Sequence, residues 1–123
     1  MTIPVNTPVN THANNLLHKK CVPCEGGNLP AMTEQEARGM LNHVHKDWVL
    51  SPDFKKISRE FIFKGFNKTM GFVNALAWIV NQEGHHPELE VSYDRCKVIF
   101  QTHALNGLSE NDFICAQKID RLI

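Results

Sequence analysis

The run from Asn67 to Gly84 most restricts what this chain can fold into. Within it Phe72, Val73, Leu76, Ala77, Ile79 and Val80 recur at helical spacing as one wide apolar stripe, and Gly84, with Pro87 three residues on, supplies a stop. A long helix with one apolar side must be covered, and the flanking segments carry patterns suited to covering it. Upstream, Ser58 to Lys64 alternates, placing Phe61 and Phe63 on one sheet face with Glu60 and Lys64 opposite. Downstream, Leu89, Val91 and Tyr93 alternate with Glu90 and Ser92, and Val98 and Phe100 alternate with Lys97 and Gln101. Two short strands around Asp94-Arg95-Cys96 predict an antiparallel hairpin.

Helices close both ends of this pattern. Thr33 with Glu36 is a capping-box signature, and Ala37, Met40, Leu41 and Val44 then predict a first helix over 33–45, followed by Trp48 in a short extended segment. Ser109 with Asp112 repeats the cap signal ahead of Cys115, Ala116, Ile119 and Leu122. The predicted order is αββαββα, an α+β fold in which a four-stranded antiparallel sheet carries three helices on one face.

At 123 residues there is room for one domain. Residues 1–30, rich in Pro, Asn and Gly, read as a flexible arm, disordered at least to Asn15, and residues 31–123 as the folded unit. Thirteen basic residues balance thirteen acidic ones, so no net charge draws the chain to nucleic acid or to an anionic membrane. No secretory leader or membrane-length apolar run is visible, and a cytoplasmic protein with reduced thiols is expected. Cys96 and Cys115 fall in core-like patterns. Cys21-Val22-Pro23-Cys24, near His18, has the spacing of half a zinc ribbon or of a redox pair, but no second such pair completes a four-ligand site. Lys19 and Lys20 beside it read as solvated charges.

Seven histidines against one tyrosine direct the search for chemistry, because imidazole exchanges protons near neutral pH. His85-His86 follows the end of the long helix, where the dipole favours a protonated ring. A hairpin turn at Asp94-Arg95 sets His103 opposite His86; a turn at Arg95-Cys96 sets it opposite Glu88, at most roughly 7 Å further along the strand. Either register gathers His85, His86 and His103. Such a gathering admits chance surface placement, a zinc site with three protein ligands, or metal-free acid–base catalysis. Neighbouring residues of an extended segment point to opposite sides, which disfavours joint chelation by His85 and His86. Glu88 could orient a histidine or simply begin a strand, Asp112 could serve the helix dipole, and Trp48 could be core or an aromatic wall.

His85-His86-Pro87-Glu88, then Tyr93, Thr102-His103, Gly107-Leu108-Ser109 and Asp112, together with Trp48, Phe63-Lys64-Gly65-Phe66-Asn67 and Gly71-Phe72, resemble the pterin-4a-carbinolamine dehydratase family, also known as a dimerisation cofactor of a homeodomain transcription factor. The resemblance covers about residues 31–123. It implies a lyase that removes water from 4a-hydroxytetrahydropterin (4a-hydroxytetrahydrobiopterin) to give quinonoid dihydropterin, recycling the pterin used by aromatic amino acid hydroxylases. It implies His85, His86 and His103 as catalytic residues, with Trp48, Glu88 and Asp112 binding substrate, and neither metal nor cofactor. His85 or His86 is expected to protonate the leaving hydroxyl, and His103 to help bind and deprotonate the ring. Family members are oligomeric, so a homodimer or homotetramer is expected, with a hydroxylase of the same pathway as a possible partner. Leu89 departs from the aromatic residue of vertebrate members, and the vertebrate transcriptional role is not carried over. The reading from a different class is an interaction module that stabilises a partner's oligomer without catalysis.

Overall fold

The computed structural model describes Leu16, residues 19–22 and residues 30–123; the expectations for residues 1–15 and for Cys24 lie outside these. The elements run α1 (Glu34–Met40), β1 (Val49–Leu50), β2 (Ile57–Ile62), α2 (Phe66–Glu83), β3 (Glu88–Ser92), β4 (Arg95–Phe100) and α3 (Glu110–Asp120), with single 3-10 turns at Leu41–His43 and His103–Leu105. The four strands form one antiparallel sheet in the order β1-β2-β4-β3. This is the predicted α+β order αββαββα. Among the described residues, no helix is long and apolar enough to cross a membrane.

Each element follows from its local chemistry. Thr33 Oγ1 accepts the Glu36 N–H at 3.1 Å and Glu36 Oε1 accepts the Thr33 N–H at 2.9 Å, so the capping box starts α1 as expected. The helix is shorter than 33–45 because its far end is taken over by α3. Gln117 Nε2 donates to the His43 carbonyl at 2.6 Å, and the His45 N–H donates to Asp120 Oδ2 at 2.9 Å, which turns the chain into β1. In α2, Thr69, Phe72, Leu76 and Val80 are buried, and Gly84 caps the helix at a left-handed φ of 67°, where a side chain would strain.

Along the sheet, Ile57, Arg59 and Phe61 of β2 and Cys96, Val98 and Phe100 of β4 turn toward the core, while Glu60 and Arg95 face out. Phe61 meets Phe72 of α2 with ring centroids 4.5 Å apart, and α3 contributes Phe113, Ile114 and Ile119 to the same core. The predicted strand over 58–64 starts one residue earlier and stops at Ile62, leaving Phe63 half-buried beyond it.

The hairpin register differs from both predicted alternatives. Ser92 pairs with Arg95 and Glu88 with Ile99, so the turn is Tyr93-Asp94. Tertiary bonds place it there: Thr69 Oγ1 of α2 donates to the Tyr93 carbonyl at 3.0 Å, and the Phe63 N–H donates to the Asp94 carbonyl at 2.7 Å. β4 ends at Phe100, so His103 lies beyond the ladder and faces neither His86 nor Glu88 across it.

Part of the sequence read as an arm joins the domain. Leu16 is buried in the core, and residues 19–22 lie against α2 and α3.

Candidate functional site

Three chain reversals build the site. Gly84 ends α2 and hands the chain to His85 and His86, whose N–H (His85) still reaches the Val80 carbonyl at 3.3 Å. Beyond β4, Thr102 and Gly107 bridge each other, and the 3-10 turn between them presents His103. Ser109 then caps α3, which brings Asp112 underneath. His85, His86 and His103 line one cavity of about 450 Å³, together with Cys21, Gln101 and Thr102 among others. The register is neither of those expected, yet the three histidines still gather, because helix end and post-strand turn converge at the same end of the sheet.

The three rings sit differently. His85 is the inner one, its side chain 13% exposed and its ring stacked on Phe100 at 5.9 Å and 8°. His86 and His103 are exposed at the cavity's rim. Behind His85, the wholly buried carboxylate of Asp112 accepts from His85 Nε2 at 2.6 Å through Oδ1. Its other oxygen, Oδ2, accepts the Thr102 hydroxyl at 2.8 Å and the Ser109 N–H at 3.0 Å. Thr102 Oγ1 lies 2.7 Å from Ser109 Oγ; since the Thr102 proton is committed to Asp112, Ser109 is the donor.

This network assigns the imidazole tautomer. A carboxylate already accepting from two donors takes a third proton from Nε2–H, which leaves Nδ1 of the neutral ring as its acceptor. Among the described residues Nδ1 of His85 has no protein partner. Asp112 acts on the cavity through His85 and is a positioning residue. A histidine held by a buried carboxylate, with two more at the rim, can donate a proton on one side of a bound molecule and accept one on another.

Other expected site residues lie elsewhere. Trp48 is buried, tilted against Phe100 at 6.0 Å, and its indole N–H donates to Asp120 Oδ1 at 2.8 Å. Glu88 is exposed at the start of β3. Neither lines the cavity. Thr102 and Ser109 belong to the family motif, but their service to Asp112 has no separate signal in the sequence, since Ser-x-x-Asp is already explained by helix capping. Cys21 lines the cavity as well, its N–H donating to Glu83 Oε1 at 2.9 Å. Glu83 also accepts from Lys118 at 2.6 Å; burial raises its pKa, but the Lys118 and Cys21 donors outweigh this and hold it below the usual carboxylate value. No three His, Cys, Asp or Glu side chains form a metal-ligating group among the described residues.

Comparison with known proteins gives a consistent grouping. The family profile described as "Pterin 4 alpha carbinolamine dehydratase" matches residues 30–122. The chain is 48% identical over 113 residues to a protein of Nitrosomonas eutropha named "Putative pterin-4-alpha-carbinolamine dehydratase", covering 92% of this chain and 97% of that one. A Legionella pneumophila (strain Corby) protein of the same name is 49% identical over 110 residues, covering 89% and 96%. Among solved structures, a transcriptional coactivator/pterin dehydratase from Brucella melitensis superposes with a TM-score of 0.70 at 32% identity, covering 75% of this chain and 97% of that one. A pterin dehydratase-like RuBisCO assembly factor of the alpha-carboxysome shares the fold, with a TM-score of 0.55 at 22% identity over 63% of this chain and 90% of that one.

Proposed function

Because the chain belongs to the pterin 4 alpha carbinolamine dehydratase family, we propose that it dehydrates 4a-hydroxytetrahydropterin to quinonoid dihydropterin by histidine acid–base catalysis. The observation that carries the reading is the convergence of His85, His86 and His103 on one cavity, with Asp112 fixing the inner ring. Its volume, about 450 Å³, suits a bicyclic heterocycle.

The reaction needs a proton on the C4a hydroxyl as the C–O bond breaks, and removal of a ring N–H proton to discharge the cation that results. Imidazoles exchange protons near pH 7, whereas a carboxylic acid at its ordinary pKa has lost its proton by then. His85 or His86 delivers the proton to the leaving oxygen, and His103 binds and deprotonates the ring. With Nε2–H turned to Asp112, Nδ1 is the nitrogen His85 has left for proton exchange: protonated, it is an acid, and after transfer it is an acceptor again. No metal is required by this scheme, and none of its steps uses a cofactor. In the cell this chemistry fits a cytoplasmic role beside an aromatic amino acid hydroxylase, in a homodimer or homotetramer.

The test is dehydration of chemically generated carbinolamine against its spontaneous rate. The expected result is acceleration that scales with protein concentration. A rate indistinguishable from the spontaneous one removes the enzymatic reading and favours a module that stabilises a partner's oligomer.

A further inference from the structure

Cys21 and Cys115 bring two thiols together at the cavity wall, from positions far apart in sequence. Their sulfurs are 3.6 Å apart and unbonded, and Cys21, Cys96 and Cys115 are all free thiols. The approach is held from both sides. The Val22 N–H donates to Asn111 Oδ1 at 3.1 Å, Asn111 Nδ2 donates to the Val22 carbonyl at 2.6 Å, and the Cys21 N–H is held by Glu83. Lys19 Nζ meets Glu110 Oε2 at 2.8 Å, so this short segment is fastened to the first turn of α3 and to the end of α2. Cys115 is fully buried one turn further along α3, whereas Cys21 is half-buried and opens onto the cavity.

We propose that Cys21 and Cys115 are an oxidisable pair, in which a hydroperoxide entering the cavity converts the two thiols to a disulfide that locks residues 19–22 onto α3. Cys21 reacts first because it is the sulfur that solvent reaches. Its thiolate attacks one peroxide oxygen; the O–O bond breaks, Cys21 becomes a sulfenic acid, and the departing hydroxide leaves as water with the proton Cys21 gave up. The Cys115 sulfur then attacks the Cys21 sulfur; the S–O bond breaks, the disulfide forms, and the second hydroxide leaves as water with the Cys115 proton. Two thiols and one hydrogen peroxide thus give one disulfide and two waters. The sulfurs close by roughly 1.5 Å to reach bonding distance, a movement that side-chain rotation of Cys21 with a small shift of its segment supplies. The Cys115 thiol is held protonated by its hydrogen bond with Cys21 and by burial, which protects it from direct oxidation; it becomes a nucleophile only as it gives up that proton, which the hydroxide leaving Cys21 takes up as water. Zinc would also tolerate two sulfurs at this spacing, but the described residues offer no third ligand beside them.

The link forms whether or not the cavity acts on pterins, so its test is separate from the dehydratase assay. The full chain is titrated with hydrogen peroxide at neutral pH, quenched with N-ethylmaleimide, and digested without reduction for mass spectrometry. The expected product is one Cys21–Cys115 cross-linked peptide per chain, two fewer alkylated thiols, and full reversal by dithiothreitol. The closed loop spans most of the domain, so Tm rises by about 10 °C on oxidation and falls back on reduction. Cys21→Ser abolishes the cross-link and Cys24→Ser retains it; both leave buried Cys115 intact, so folding is not in question. A Cys21–Cys24 link, a sulfinic acid at Cys21 with no cross-link, or stoichiometric zinc shielding these thiols overturns the proposal.

Discussion

Asp112→Asn isolates what the buried carboxylate does for His85. The amide has nearly the volume of the acid, and its oxygen can still accept from the Ser109 N–H and the Thr102 hydroxyl. Its NH2 then faces His85 Nε2, across what is now a 2.6 Å contact between a donor and Nε2–H. Two donors cannot share that contact, so the ring moves its proton to Nδ1 and Nε2 becomes the acceptor. The stability cost is modest, about 1–2 kcal/mol for exchanging charge-assisted bonds for neutral ones. A domain of about 100 residues is stable by roughly 5–15 kcal/mol, so the variant stays folded. The catalytic cost is larger, because the nitrogen of the neutral ring that Asp112 leaves available has changed from acceptor to donor. If His85 supplies one acid–base step, the single-turnover dehydration rate falls by about 100-fold or more, equal to about 2.7 kcal/mol of barrier. The tautomer is read independently from histidine 15N chemical shifts, which should change from Nε2–H to Nδ1–H. A variant with the switched tautomer and the wild-type rate refutes the reasoning, as does one whose tautomer stays the same.

Further substitutions probe the frame around the site. Glu83→Gln removes a buried partner of Lys118 and is expected to cost about 2 kcal/mol in urea denaturation at pH 7. Because the folded pKa of Glu83 is lowered, its contribution is present above the unfolded value of about 4.5 and is lost as pH falls through the folded one, so the variant's deficit should shrink below pH 4.5; a deficit unchanged into acid contradicts the assignment. At Gly107 an added Cβ would lie 2.6 Å from Ala31 Cβ, so Gly107→Ala should lower stability by about 1–3 kcal/mol, and Ala31→Gly should restore most of it in the double variant. Asp120 takes the Trp48 indole, the His45 N–H and, at 2.7 Å, the buried Arg59 guanidinium; Asp120→Ala should cost about 3–5 kcal/mol by thermal or chemical denaturation, with a loss under 1 kcal/mol contradicting the account.

What the sequence disclosed follows from where the information lies. The stripe of α2, the two capping boxes and the strand alternations are local, and each led to an element that is present. The hairpin register is not local: Thr69 and Phe63 settle the turn at Tyr93-Asp94, and both lie outside the hairpin. α1 stops early for the same kind of reason, with Gln117 and Asp120 of α3 taking the groups that would have continued it. The sequence argues for His85, His86 and His103 as a set from the hairpin register and from the family motif; the register is different, and the set gathers instead because the end of α2 and the turn after β4 meet at one cavity. The partnership of His85 with Asp112 was hidden, since the capping role already accounts for an acid at that position. Trp48 could be read as core or as a pocket wall, and burial together with its bond to Asp120 places it in the core.

The most direct measurement is single-turnover dehydration of the 4a-carbinolamine by His85→Ala, His86→Ala and His103→Ala beside the unaltered protein, with each variant's fold checked by circular dichroism. Acid–base catalysis in this cavity predicts that each substitution lowers the rate and that loss of His85, the ring anchored on Asp112, lowers it by about 100-fold or more. Three folded variants that all turn over at the unaltered rate contradict it.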